Sequence, residues 1–320
     1  MRDEKNSTKK VGLVGTGLVG SSFAYALMIR GLANELVLVD ANTQKAEGEM
    51  MDLNHGLSFA TPMKITTGTY QDLTDAHVVV VAAGAAQKPG ESRLDLLARN
   101  AAIFRTIVPK IVQHNPHGII LIATNPVDIL TYISLNESGL PPSKVIGSGT
   151  ILDTSRFRFM LGQHYGVDTR SVHGYIVGEH GDSEIPLWSL ANIGGVRLQE
   201  FASLGNKTYD QAEMDRLFAA VRDAAYEIIR RKGATYYAIG LGLVSIVEAI
   251  LGDHRTVLSV STLMTGQYGV KDICLSLPCV VGENGIEEVL TLTLSPEEKY
   301  GFRASAEKLR ATLQSLPRAG

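Results

Sequence analysis

The chain has 320 residues, a formal net charge of −3, 45% hydrophobic residues and 20% charged residues. That length accommodates two lobes or one large domain, and the composition is that of an ordinary soluble globular protein. Without a long basic run, it argues against a nucleic-acid partner.

The first ten residues are polar and read as a loose arm, 1–10. Residues 11–29 then carry no charge for 19 positions and follow Lys9 and Lys10. Length alone would allow a membrane span or a signal sequence. Glycines at 12, 15, 17 and 20, and a second apolar run ending in Asp40, favour a buried strand, turn and helix instead. Residues 11–14 read as the strand, followed by a helix to about Arg30. Residues 35–40 are a second strand and 46–53 a helix. Residues 77–83 are a third strand with little alternation, so both faces are buried. Residues 94–114 are helical, 118–123 a fourth strand and 145–148 a short fifth. Near-continuous apolar strands separated by helices predict a doubly wound, parallel α/β sheet over residues 11–148.

Residues 149–320 read as a mixed α+β lobe. A helix is expected over 152–165, a strand over 172–177 and mostly helix over 208–251. Residues 257–263 and 270–281 read as antiparallel strands. A last helix covers 297–316, capped by Ser295 with Pro296 at its first position. Cys274 and Cys279 are too far apart along one strand to bridge, so buried thiols in a reducing compartment are expected.

Two motifs carry chemistry. Gly15-Thr16-Gly17-Leu18-Val19-Gly20 fits G-x-G-x-x-G between a strand and a helix. Gly15 permits the turn, Gly17 the approach of a pyrophosphate, and Gly20 close helix–strand packing. The helix N-terminus offers free N–H groups to phosphates. Asp40 ends the second strand, where a carboxylate accepts from ribose hydroxyls and repels a 2′-phosphate. NAD is therefore expected over NADP. The second motif is Gly178-Glu179-His180-Gly181-Asp182-Ser183-Glu184, a histidine among glycines and acids. A histidine in a polar loop is ordinarily solvated, so its role depends on companions.

Those companions bring out a resemblance. The chain resembles bacterial L-lactate dehydrogenases of the lactate/malate dehydrogenase superfamily over essentially its whole length. Besides the two motifs, it rests on Gln87-Lys88-Pro89-Gly90-Glu91-Ser92-Arg93, Thr124-Asn125-Pro126-Val127-Asp128 and Leu152-Asp153-Thr154-Ser155-Arg156. The resemblance implies NAD-dependent interconversion of pyruvate and L-lactate in a cytoplasmic homotetramer, with no metal. It implies His180 as acid/base, a residue type whose ordinary pKa lies near neutrality. Asp153 is implied to orient the imidazole, although an acid near a helix start also suits the helix dipole. Arg156 is implied to grip the substrate carboxylate with a planar fork; a simple ion pair with Asp153 is the plainer alternative. Arg93 is implied to polarise the substrate carbonyl after its loop closes. Asn125 is implied to bond near the nicotinamide and the substrate oxygen.

Gln87 stands where malate dehydrogenases place an arginine, so pyruvate is expected over oxaloacetate. Thr235 matches the residue closing the pocket over the substrate methyl, and Ile239 one that packs on the nicotinamide. Arg158 is two residues beyond Arg156, about 200° around a helix, so it cannot face the same substrate. Arg158 and His173 resemble positions where many bacterial relatives bind fructose 1,6-bisphosphate across a two-fold interface. A malate dehydrogenase, a dehydrogenase of longer 2-hydroxy acids and a catalytically idle dinucleotide-binding protein are the competing readings. Gln87, Thr235 and the set His180, Asp153, Arg156 and Arg93 weigh against them in turn.

Overall fold

The computed structural model describes residues 8–85, 90, 92–204 and 209–316. The arm reading for 1–10 lies largely outside the described residues, and Lys10 already belongs to the first strand. The first half runs β1 (Lys10–Val14), α1 (Leu18–Arg30), β2 (Glu35–Val39), α2 (Thr43–Gly56), β3 (Lys64–Thr67), β4 (Val78–Val81), α3 (Arg93–His114), β5 (Ile119–Ile122), α4 (Val127–Ser138) and β6 (Val145–Gly147). The second half runs α5 (Ile151–Tyr165), β7 (Val172–His173), β8 (Ile176–Val177), β9 (Ile185–Pro186), β10 (Asn192–Ile193), β11 (Val196–Arg197), α6 (Leu198–Leu204), α7 (Gln211–Lys232), α8 (Tyr237–Leu251), β12 (Thr256–Thr265), β13 (Lys271–Gly282), β14 (Gly285–Val289) and α9 (Pro296–Gln314).

Among the described residues one nine-stranded sheet has the order β14-β13-β12-β6-β5-β4-β1-β2-β3. Its β1–β6 part is parallel. The order reverses between β1 and β4, and a ligand crevice is expected at the strands' carboxyl ends there. The uncharged run after Lys10 is β1, its turn and α1. Among the described residues no helix is long and apolar enough to cross a membrane.

Helices cover both faces, as buried strands require. On one face Phe104 and Val108 of α3, Leu130 of α4 and Phe302 of α9 pack on alternate strand residues such as Val79 and Ile120. On the other, Phe23 and Leu27 of α1 and Leu243 and Val247 of α8 pack on Leu13, Val80 and Leu121.

One sequence expectation holds and is extended, and one changes. The strands read as antiparallel do pair so, and β12 also pairs with β6 through Ser261 and Gly147, so β12–β14 extend the parallel sheet. The strand expected over 172–177 is two short pieces in different sheets. β7 pairs with β10 and β8 with β9, because the chain breaks at Gly174, where a Cβ would stand 2.7 Å from Phe157. The last helix carries its expected cap, with Ser295 and Glu298 forming a capping box. Cys274 and Cys279 are free and buried.

Candidate active site

The glycine turn forms as its spacing requires. Gly15 has φ +100°, and a Cβ there would meet the Ala83 backbone N at 2.4 Å. A Cβ on Gly20 would lie 2.0 Å from the Gly15 carbonyl oxygen, so only glycine lets α1 sit so close to its turn. At Gly17 a Cβ would meet nothing within 4 Å, which leaves open space at the start of α1. No side chain caps that helix, so no side chain satisfies its first N–H groups, the kind of donors that suit an anion.

Asp40 has a second task beside the one read from its position. Its Oδ2 accepts from the Thr16 N–H at 2.7 Å and from the Thr16 hydroxyl at 3.0 Å, and its Oδ1 accepts from the Asn42 N–H at 2.8 Å. Burial works to raise its pKa, yet these bonds hold it below the ordinary carboxylate value. A carboxylate offers about four acceptor sites, so room for ribose hydroxyls remains. Thr16, expected among the cofactor contacts, spends its amide and hydroxyl on Asp40. Leu18, also expected there, turns its side chain into a separate groove lined by Tyr25 and Leu241. Leu18 stands at the start of α1.

Val19, Asn125, Arg156, His180, Thr235 and Ile239 come together around one cavity of 430 Å³ at the carboxyl ends of β4 and β5. These residues arrive from α1, the β5–α4 turn, α5, the loop after β8, and the α7–α8 connection and α8. Gln87 lies outside the described residues. So does the side chain of Arg93, whose backbone opens α3 behind a Ser92–Asp95 capping box.

His180 Nδ1 lies 2.5 Å from Asp153 Oδ2. Asp153 Oδ1 accepts from Arg156 Nη1 at 2.9 Å. The ion pair with Arg156 therefore exists, but it is no surface pair: side-chain exposure is 13% for Arg156 and 3% for Asp153. Burial disfavours the charged imidazole. Asp153, by charge and hydrogen bond, then Asp128 and Glu184, more than offset this, and the pKa of His180 is pushed up to about 9. Burial likewise works against ionised Asp153, but His180 and Arg156 hold its pKa below the ordinary value.

The loop carrying His180 is clamped from several sides. Gly178 exchanges two backbone hydrogen bonds with Ser276 of β13, each 2.9 Å. Glu179 N–H donates to the Ser305 hydroxyl of α9 at 2.8 Å, and Lys308 reaches the Glu179 carboxylate at 2.9 Å. His180 N–H donates to Asp128 Oδ2 at 2.7 Å, and the Ser261 hydroxyl donates to Asp128 Oδ1 at 2.6 Å. Burial pushes the Asp128 carboxyl up to about 6 against these two hydrogen bonds.

Sequence reasoning did not single out Asp128 for this task. In the sequence it stands only as the last residue of the Thr124–Asp128 motif, with no role attached. Glu184, one of the acids around His180 in its motif, is buried beside the Asp153–His180 pair.

A dinucleotide-type glycine turn beside a cavity lined by His180 and Arg156, both bonded to the buried Asp153, marks the class: an NAD-binding oxidoreductase. Residues 9–147 match the lactate/malate dehydrogenase NAD-binding domain, and residues 150–317 match that family's alpha/beta C-terminal domain. The chain belongs to the lactate/malate dehydrogenase family. An L-lactate dehydrogenase of Priestia megaterium is 52% identical over 95% of this chain and 96% of its own length. L-lactate dehydrogenase 1 of Clostridium acetobutylicum is 50% identical over 96% of this chain and 98% of its own. The crystal structure of the minor L-lactate dehydrogenase from Enterococcus mundtii, in a ligands-bound form, superposes with a TM-score of 0.94 at 46% identity. It spans 98% of this chain and 99% of that one.

Proposed function

We propose that the chain is a cytoplasmic NAD-dependent L-lactate dehydrogenase of fermentative glycolysis, with His180 as its acid/base. Residues 11–148 hold the dinucleotide and residues 149–320 supply most of the catalytic groups. The observation that carries the reading is the 2.5 Å Asp153–His180 pair facing the same cavity as Arg156. Bound NADH supplies the hydride. His180 holds its Nδ1 toward Asp153, which leaves Nε2 to give a proton to the pyruvate carbonyl oxygen. In the reverse direction the same nitrogen takes the proton of the lactate hydroxyl. Asp153 fixes the tautomer and stabilises the imidazolium. Arg156 binds the substrate carboxylate, Asn125 bonds near the reacting oxygen, and Arg93 steadies charge developing on that oxygen. Ile239 backs the nicotinamide, and Thr235 narrows the pocket over the methyl group.

Gln87 sets the choice of substrate. A unit pair at roughly 4 Å contributes about 4 kcal/mol at an effective dielectric near 20, or about three decades in rate. A neutral glutamine forgoes that attraction for the second carboxylate of oxaloacetate. NADH oxidation with pyruvate should therefore outpace that with oxaloacetate in kcat/KM, and Gln87→Arg should move the preference toward oxaloacetate. A wild-type preference for oxaloacetate would overturn the reading.

Arg158 and His173 support a fructose 1,6-bisphosphate effector site. Arg158 lies on α5 away from Arg156. Its Nε donates to the Gly174 carbonyl at 3.0 Å, and its guanidinium stands 5.2 Å from the Tyr175 ring. His173 is exposed on β7, next to that carbonyl. Two subunits would bring two such pairs to one doubly phosphorylated sugar. Self-association is supported by the apolar face of α1 and α8, where Tyr25 is 56% and Tyr237 68% exposed. The bisphosphate should lower half-saturating pyruvate about tenfold in dilute enzyme, and Arg158→Gln should remove that response. A saturation curve unchanged by the sugar argues against the site.

A further inference from the structure

Glu184 follows the catalytic loop and is only 7% exposed. Its Oε1 is buried with no hydrogen-bond partner among the described residues. A His180 ring nitrogen, an Asp153 carboxylate oxygen and a Glu184 carboxylate oxygen lie within 4.8 Å of one another. A second carboxylate this close to Asp153 is costly unless one of the two holds a proton. Asp153 already has Arg156 and His180 on its two oxygens, so it is the one that stays ionised. Such a trio has the chemistry of a cation site, but the Arg156 guanidinium beside it disfavours a metal ion.

We propose that Glu184 is a third titrating member of the site, a positioning residue that takes up a proton when the substrate carboxylate arrives. This rests on the reading of His180 as acid/base. The groups facing Glu184 are Asp153 and Arg156 from α5, His180 from its own loop, and Arg222 from α7. Arg222 has its own acid, Asp223, at 3.3 Å. With Glu184 ionised, three anions, Asp153, Glu184 and Asp128, stand against three cations, Arg156, Arg222 and the imidazolium. A substrate carboxylate would add an unpaired negative charge in a buried site. A solvent proton moving onto the Glu184 carboxylate restores the balance. Burial and then Asp153 push the Glu184 carboxyl up to about 8, against the pull of His180, Arg156 and Arg222, so near neutrality the empty site already holds this proton and uptake on binding is confined to pH above about 8.

The test is the pH dependence of oxamate binding, oxamate being an unreactive analogue of pyruvate. Enzyme saturated with NADH is titrated by fluorescence, and the slope of log Kd against pH counts the protons taken up. Above about pH 9 the wild-type slope should approach about 2, one proton for His180 and one for Glu184, while Glu184→Gln should stay near about 1. A change that only loosened packing would alter Kd without altering the slope. Should E184Q not fold, Glu184→Met removes the carboxyl while filling its volume. A wild-type slope near 1, or a slope near 2 that persists in the variant, overturns the proposal. A wild-type slope of zero instead overturns His180 as acid/base.

Discussion

Replacing His180 by asparagine should lower kcat for pyruvate reduction about a thousandfold, the middle of the range for losing a positioned general acid. Asparagine keeps the backbone N–H that bonds Asp128, so the loop retains that anchor. NADH affinity should stay within about twofold, because the glycine turn and Asp40 lie on other segments. A loss of kcat below about tenfold would remove His180 from the proton-transfer step. The pH profile gives a second check. The His180 pKa of about 9 lies above its ordinary value, so pyruvate reduction should fall as pH rises through about 9, when the proton is lost. Lactate oxidation, which needs the neutral ring, should rise through the same pH. Stability follows the same sign. The contribution of charged His180 is complete below its unfolded pKa near 6.5 and is lost as pH rises through about 9. His180→Asn should lack that decline in thermal midpoint.

Arg156→Lys should lower kcat/KM for pyruvate about a hundredfold, mostly through KM. Lysine keeps the charge but loses the planar pair of donors that matches a carboxylate. Breaking a buried, hydrogen-bonded charge pair costs about 2–5 kcal/mol, and the retained charge recovers part of that. The guanidinium is aimed in advance: Nη1 is tied to Asp153 at 2.9 Å, and Arg156 also lines the cavity that His180 faces. A flexible ammonium satisfying Asp153 would be free to leave the substrate. Oxamate affinity for the NADH complex reads this directly. A Kd within about threefold of wild type would mean that another group holds the carboxylate.

Much of this fold was legible because each signal was local. Uninterrupted Val, Ile and Leu runs announced β2, β4 and β5, and the glycine spacing announced the turn after β1. What was missed depended on distant partners or lacked punctuation. The helix α4 begins behind Pro126 with no side-chain cap, and the acid in its first turn, Asp128, is spent on His180 and Ser261. Asp128 takes its role from His180, 52 residues on, and Ser261, 133 residues on. Glu184 is written like the other acids of its motif, and its burial beside Asp153 and Arg156 of α5 and Arg222 of α7 comes from distant segments. The Asp153–His180–Arg156 arrangement was expected from resemblance alone, since no spacing rule brings residue 180 back to residue 153.

The joined sheet bears on how this protein could have been assembled from parts. Because β12 lies against β6, a cut near residue 148 would leave a raw strand edge on each fragment. Exposed edges of that kind recruit foreign strands. The α1 surface would also lose α8, which packs on it across the same cut. The two halves are therefore poor interchangeable cassettes. A gene fusion that swapped one for a distant relative's would have to match strand register and helix surface together, which ties the inheritance of the cofactor half to that of the catalytic half.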